Sequence, residues 1–168
     1  MDKMPQMLDS LAIRRVQPSD LAALATFLEK NNTAEVRRYF SPFPLDEHTA
    51  RTLCREDHRD LFFVAICGDE IIGLSMLRGW EEGFDVPSFG ILIDRSYTGL
   101  GLGRRMTEFT LNKANDSECA RVRLSVYATN VRAVELYRSV GFVEIERHPV
   151  RFGRESDEKI VMTKALST

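Results

Sequence analysis

The sequence predicts a mixed α/β domain of the α+β type, with a mostly antiparallel central sheet flanked by helices. Three observations carry this. Two apolar runs, Leu61 to Cys67 and Glu70 to Leu77, meet across Gly68-Asp69 with Ile72, Leu74 and Met76 alternating, which is a β-hairpin. A strand at Ser88 to Ile93 runs through glycines into a helix. Near the C-terminus, an alternating strand is followed by a helix and two further strands around a turn containing Gly153.

In chain order, Ala12 to Val16 is the first strand, and Pro18-Ser19-Asp20 opens a helix with Leu21, Leu24 and Leu28 on one face. Asp46, a good N-cap, precedes a short helix with Ala50, Leu53 and Cys54 at helical spacing. The hairpin and the strand at Ser88 to Ile93 follow. Thr98 to Gly103 is a glycine-rich turn, and Leu102, Met106 and Phe109 form the apolar face of the helix behind it. Arg121 to Tyr127 places Val122, Leu124 and Val126 on one face of a half-buried strand. Ala133, Leu136, Tyr137 and Val140 follow at i, i+3, i+4 and i+7, and Gly141 suits the left-handed position that ends a helix. Phe142 to Glu146 and Lys159 to Lys164 close the chain as two antiparallel strands.

The 168 residues, 43% hydrophobic, form one domain with a core at about 11–166 and bury enough surface to need no disulfide or metal. Lys and Arg number 23 against 25 Asp and Glu, so no basic field exists to hold a nucleic acid. The longest apolar run, Leu61 to Cys67, is too short to span a membrane, and the N-terminus lacks the apolar core of a signal peptide; the expected location is cytoplasmic. Cys54, Cys67 and Cys119 and the histidines His48, His58 and His148 are scattered, so no metal site is expected. An edge strand near the C-terminus could pair with a second subunit or be covered internally, which leaves a homodimer open.

Chemistry concentrates in the stretch from Ile91 to Arg105, where a strand turns through Gly99, Gly101 and Gly103 into a helix. Glycines let consecutive amides converge, and the helix N-terminus adds unpaired donors and about half a positive charge, so a diphosphate fits. Glycines at such a turn also serve close packing. No Gly-Lys-Ser/Thr follows, which excludes a Walker A loop, and Arg104 to Met106 supplies no last glycine for a dinucleotide fingerprint.

Downstream, the segment Asn130 to Phe142 carries Asn130, Ala133, Leu136, Tyr137, Gly141 and Phe142 in the pattern N-x-x-A-x-x-L-Y-x-x-x-G-F. With the glycine loop, this resembles the GNAT superfamily of N-acetyltransferases, whose acetyl-CoA loop reads Q/R-x-x-G-x-G/A. The resemblance runs from Ala12 to Leu166 and is strongest over Ser88 to Phe142. Thr98 departs from it, standing where the family has Arg or Gln, while Gly101 and Gly103 match.

The resemblance implies acetyl-CoA as acyl donor, with its diphosphate on the amides of Gly99, Leu100, Gly101, Leu102, Gly103 and Arg104 beside Thr98. Pantetheine would lie along Ile91, Leu92 and Ile93, where an exposed strand edge can bond its amides, and the Ile91 amide would polarise the thioester carbonyl. Tyr137 corresponds to the tyrosine that protonates the leaving thiolate, although core packing with Ala133 and Val140 also explains it. Asn130 would cap the helix and meet the cofactor, beside Ala133.

The acceptor is a primary amine of undetermined identity, attacked directly in a ternary complex. An ammonium of pKa about 10.4 must lose a proton to react. Glu81, Glu82 and Asp85 precede the cofactor strand, and Glu82 and Asp85 are the candidate bases; Trp80 and Phe84 would wall a pocket for a cationic amine. A catalytically silent acyl-CoA-binding or regulatory module is the alternative reading.

Overall fold

The computed structural model describes residues 9–167. Gly68, with φ of 63°, turns the expected hairpin between β2 (Leu61–Cys67) and β3 (Glu70–Arg78), and the two strands pair antiparallel. Outside β2 lies β1 (Ala12–Arg15), and outside β3 lies β4 (Ser88–Ile93), both antiparallel to their neighbours. After β4 the chain forms helix α4 (Leu102–Asp116), then β5 (Arg121–Tyr127), α5 (Val131–Ser139), β6 (Val143–Phe152) and β7 (Glu155–Ala165). One seven-stranded sheet results, in the order β1-β2-β3-β4-β5-β7-β6, and β4 beside β5 is its parallel pair.

The alternation in the strands decides which helix covers which face. Phe62, Val64, Leu74, Met76 and Leu92 bury one face beneath α1 (Leu21–Lys30), whose Leu24, Phe27 and Leu28 are in the same cluster, and beneath α3 (Glu47–Leu53). Asp46 caps α3 as expected, accepting from the Thr49 amide at 2.8 Å. The opposite face meets α4: Ser75 Oγ lies 2.7 Å from Thr110 Oγ1. A Cβ on Gly73 would stand 2.5 Å from Met106 Sδ, so the helix sits this close only because residue 73 has no side chain. Val122, Leu124 and Val126 of β5 turn to this second face, with Val134 and Tyr137 of α5.

Three elements differ from expectation. A short helix, α2 (Ala34–Tyr39), follows α1, started by Thr33 Oγ1 accepting from the Val36 amide at 3.3 Å. The last two strands are also longer than expected, β6 and β7 continuing on both sides of Gly153 until Phe152 faces Glu155. This length places residues 152–157 within reach of α2. Arg38 Nη2 donates to Asp157 at 2.7 Å and its Nε to Glu155 at 3.3 Å, while the guanidinium lies 3.8 Å from the Phe152 ring centroid. Tyr39 Oη shares a hydrogen bond with Thr129 Oγ1 at 2.9 Å. The outer edges of the sheet are β1 and β6, and on β6 Val143 and Ile145 are exposed.

Burial alone would raise the Asp157 carboxyl, but hydrogen bonds from the Thr129 hydroxyl, Arg38 and the Glu158 and Thr129 amides outweigh it and hold the pKa at about 2. A depressed folded-state pKa adds stability above the ordinary value of 3.8, and that stability is lost as pH falls through about 2. Asp157→Asn is therefore expected to lower Tm by roughly 3 °C or more at neutral pH and to flatten the fall in Tm between about pH 4 and pH 2. Thermal melts followed by circular dichroism at several pH values check both.

Candidate functional site

The sheet is interrupted between β4 and β5. They touch at one pair, Ser88 with Arg123, where the Arg123 amide donates to Pro87 O at 3.0 Å. Beyond it they part. The direction of each strand's main-chain groups alternates from residue to residue. At the two ends of β4, Asp94 N donates to Ile72 of β3 while Pro87 O faces β5. Leu92 and Gly90 therefore spend their main chain on β3, whereas Ile91 and Ile93 face the gap. On β5, Ala128 N donates to Glu158 of β7 while Arg123 N faces β4, so Ser125 and Tyr127 face the gap from the other side. Of the three expected pantetheine residues, Ile91 and Ile93 present free strand edge; Leu92 does not, and its side chain is buried on the α1 face.

The open end of this gap meets the glycine loop. After β4, Asp94 accepts from Ser96 N at 2.8 Å and caps a 3-10 turn, Arg95–Tyr97. The Asp94 side chain is 1% exposed and pairs with Lys30 at 2.9 Å; burial alone would raise its carboxyl, but Lys30 and the Ser96 amide hold it below the usual carboxylate range. Gly99 and Gly101 have φ of 79° and 80°, a region L residues adopt only at a cost. Leu102, 1% exposed, then anchors the first turn of α4 on the core beside Met106, leaving the amides of Leu102, Gly103 and Arg104 without partners inside the helix. Leu100 packs against the same cluster. These are the donors an anion would use.

Thr98, the departure from the family pattern, turns its hydroxyl back onto Arg95 O at 3.0 Å. A cation reaches the loop from α5, Arg132. Its Nη2 would stand 3.4 Å from a Cβ on Gly99, so the guanidinium hangs over the loop. Sequence reasoning missed Arg132, although a cation two residues after Asn130 in the helix motif was a signal. Arg104, in turn, reaches Ser139 of α5 at 2.7 Å and ties the first turn of α4 to that helix.

Tyr137 lies beneath the gap on the α4 and α5 face, 7% exposed. Phe89 of β4 and Phe142 hold its ring edge-on, each with centroid separations of 6.0 Å. Its hydroxyl has no hydrogen-bond partner among the described residues, and burial pushes the phenol above its ordinary value of 10.0. It is thus a neutral donor throughout the working pH range. Gly141, with φ of 104°, ends α5 as expected, and Phe142 N donates to Tyr137 O at 3.0 Å. Asn130 begins α5, but its side chain makes no capping bond, so the expected capping role does not hold and the amide stands free beside the half-buried Ala133.

The acidic segment lies elsewhere. Arg78 of β3 pairs with Ser88 of β4, so residues 79–87 form the turn at the closed end of the gap. Asp60 pins this turn through the amides of Gly79 at 3.0 Å and Glu81 at 3.2 Å, and Glu81 accepts from the Arg59 amide. Glu82, Phe84 and Asp85 are exposed, with Trp80 half-buried. From Ser88 to Ile91 is roughly 10 Å along the strand. The structure gathers the glycine loop, Ile91, Ile93, Asn130, Ala133 and Tyr137 around one opening, and it leaves Glu82 and Asp85 outside that group. Among the described residues, no group of three or more His, Cys, Asp or Glu is placed to hold a metal ion, and no helix is long and apolar enough to cross a membrane.

Residues 25–142 match the model of the Acetyltransferase (GNAT) family. N-alpha-acetyltransferase 30 of Dictyostelium discoideum is 28% identical over 93 residues, 52% of this chain and 49% of that protein. The [ribosomal protein bS18]-alanine N-acetyltransferase of Escherichia coli K12 is 36% identical over 83 residues, 47% of this chain and 55% of that protein. The matched part thus spans about half the length of these relatives. An acetyltransferase structure from Salmonella typhimurium with its cofactor acetyl-CoA superposes with a TM-score of 0.74 at 19% identity, over 94% of this chain and 95% of that one. With the glycine loop, the parted strands and the helix of Tyr137 in one arrangement, the match over residues 25–142 establishes that the chain belongs to the GNAT acetyltransferase family.

Proposed function

We propose that the protein transfers the acetyl group of acetyl-CoA to a primary amine by direct attack. The observation that carries this is the unpaired edge of Ile91 and Ile93, which leads from the amides at the start of α4 to Tyr137. The diphosphate sits on the amides from Gly99 to Arg104, with Arg132 above them, and the pantetheine amides extend β4 as an added strand would. Asn130 and Ala133 flank the thiol end.

The cofactor enters from the α4 and α5 side, and the acceptor from the α1 and α2 side, so the amine and the thioester meet within the gap. The neutral amine forms a bond to the carbonyl carbon while the Ile91 amide stabilises the developing oxyanion. The C–S bond then breaks, the Tyr137 phenol gives its proton to sulfur, and the proton shed by nitrogen restores the phenol. Burial makes this phenol a poor acid in isolation. A thiolate in the same dry surroundings is correspondingly more basic, so the transfer stays feasible. The first ammonium proton leaves to water: Glu82 and Asp85, at the closed end, act on an approaching ammonium through space. No cysteine is motif-placed to carry the acyl group.

Tyr137→Phe keeps the ring's packing and is expected to lower kcat roughly a hundredfold with little change in the KM for acetyl-CoA, measured as release of free thiol. Because the phenol stays protonated, the wild-type rate should show no alkaline fall between about pH 8 and pH 10 due to this group. Tight acetyl-CoA binding without thiol release for any amine would instead indicate a silent acyl-CoA-binding module.

Gly103 separates cofactor contact from folding. A Cβ there meets Leu136 at 3.5 Å, an ordinary contact, and φ is not positive, so the fold accepts a side chain. Gly103→Val should keep Tm within a few degrees yet weaken acetyl-CoA binding roughly tenfold or more by calorimetric titration. Gly101→Val adds backbone strain at φ of 80° and should lower both.

A further inference from the structure

On the α1 and α2 face, the side from which the acceptor comes, the closed end of the gap is marked by a cross-strand row. Arg78 of β3 pairs with Ser88 of β4, which pairs with Arg123 of β5. Directly paired residues share a face. Leu74 and Met76 fix that face for β3, and the Tyr127 ring, 6.4 Å from Tyr39 of α2, fixes it for β5. Two arginines therefore flank one serine in a row on this face, at the point where β4 and β5 last touch.

Neither cation is neutralised. Among the described residues no carboxylate pairs with Arg78 or Arg123; Arg78 lies over the Phe43 ring at 5.5 Å and spends Nη1 on Pro42 O at 3.2 Å. Lys159, which pairs with Tyr127 across β5 and β7, lies on this face also without an ion pair among those residues. The carboxylates that share the face beside it, Asp157 and Glu155, are taken by Arg38. The acidic turn lies beyond the row, away from the gap, and none of its carboxylates reaches either arginine. Arg78 and Arg123 stand one strand apart on either side of Ser88, and an anion bound over Ser88 would give both cations a partner.

Resting on the acetyl-transfer reading, we propose that the acceptor amine carries a carboxylate, and that Arg78, Ser88 and Arg123 bind it while the amine faces the thioester. The spacing sets the shape of this substrate. From the row to Ile91, whose amide faces the thioester in this reading, is three residues, roughly 10 Å, which the arginine side chains shorten by reaching toward the gap. That distance suits an N-terminal amine followed by an acidic residue and disfavours a polyamine.

The experiment compares thiol release from acetyl-CoA with the tripeptides Ala-Glu-Ala and Ala-Lys-Ala and with spermidine. The acidic peptide is expected to have a kcat/KM roughly tenfold or more above the other two at low salt, an advantage that shrinks at about 0.5 M salt. Arg123→Glu should reverse the order of the two peptides, and Arg78→Gln should raise the KM for Ala-Glu-Ala several-fold. Calorimetric affinity for acetyl-CoA, unchanged in both variants, shows that they remain folded. A preference for Ala-Lys-Ala or spermidine, or an order that Arg123→Glu leaves unaltered, overturns this proposal and leaves acetyl transfer standing. Absence of thiol release with all three amines, with acetyl-CoA bound, overturns this proposal, and only absence across a wide panel of primary amines overturns the transferase reading with it.

Discussion

Everything at the site depends on two parallel strands that meet at one residue pair. Had β4 and β5 paired along their length, the main-chain groups of Ile91, Ile93, Ser125 and Tyr127 would have been consumed in the sheet. With Ser88 and Arg123 as the pivot, the same groups stand as unfilled partners for an extended ligand. The opening costs ladder hydrogen bonds, and the surrounding structure has to sustain it. Helix α5 does so on one face, because Tyr137 packs against Phe89 of β4 while Val134 and Tyr137 also share the core with Val122, Leu124 and Val126 of β5. The helix therefore bears on both lips.

On the opposite face α2 does the corresponding work with polar contacts. Lys30, at the end of α1, holds Asp94, and Glu35 pairs with Arg95 at 2.6 Å, both on the β4 side. Arg38 with Asp157, and Tyr39 with Thr129, hold the β5 side. Exposed pairs such as Glu35 with Arg95 contribute little individually. The Asp94 and Asp157 carboxylates differ, being almost wholly buried, so losing either cation would leave an uncompensated charge. One face of the gap is thus framed by a strap fastened to both lips, and the opposite face by α4 and α5.

Several elements could be read directly because their signals are local. The Gly68 turn, the faces of α1 and α4 and the alternation of β5 follow from periodicities over a few residues. Helix α2 escaped because in Ala34-Glu35-Val36-Arg37-Arg38-Tyr39 only Val36 packs against the core cluster; one apolar contact makes no period. The outer half of the last hairpin escaped for a related reason. Most of residues 144–158 are exposed whichever way they face, so no alternation marks them as strands, and pairing with β7 alone shapes β6.

The candidate site divides in the same way. Positive φ at Gly99 and Gly101 is a demand the chain makes locally, so the glycine loop and the start of α4 were legible, as was the helix bearing Tyr137. Which backbone groups remain unpaired is not a local property. It depends on β4 and β5 becoming neighbours and then parting, and strand register is settled by contacts between residues distant in sequence. That register also set the acidic turn, expected to border the acceptor, at the closed end of the gap, and it set Arg78, far from Arg123 in the chain, beside Ser88 in the same row. By itself the sequence determined most of the elements and the glycine loop, because dihedral preference and burial period act within a few residues. Tertiary structure alone decided the gap and the row of charge across its closed end, because both arise from strand pairing across the whole fold.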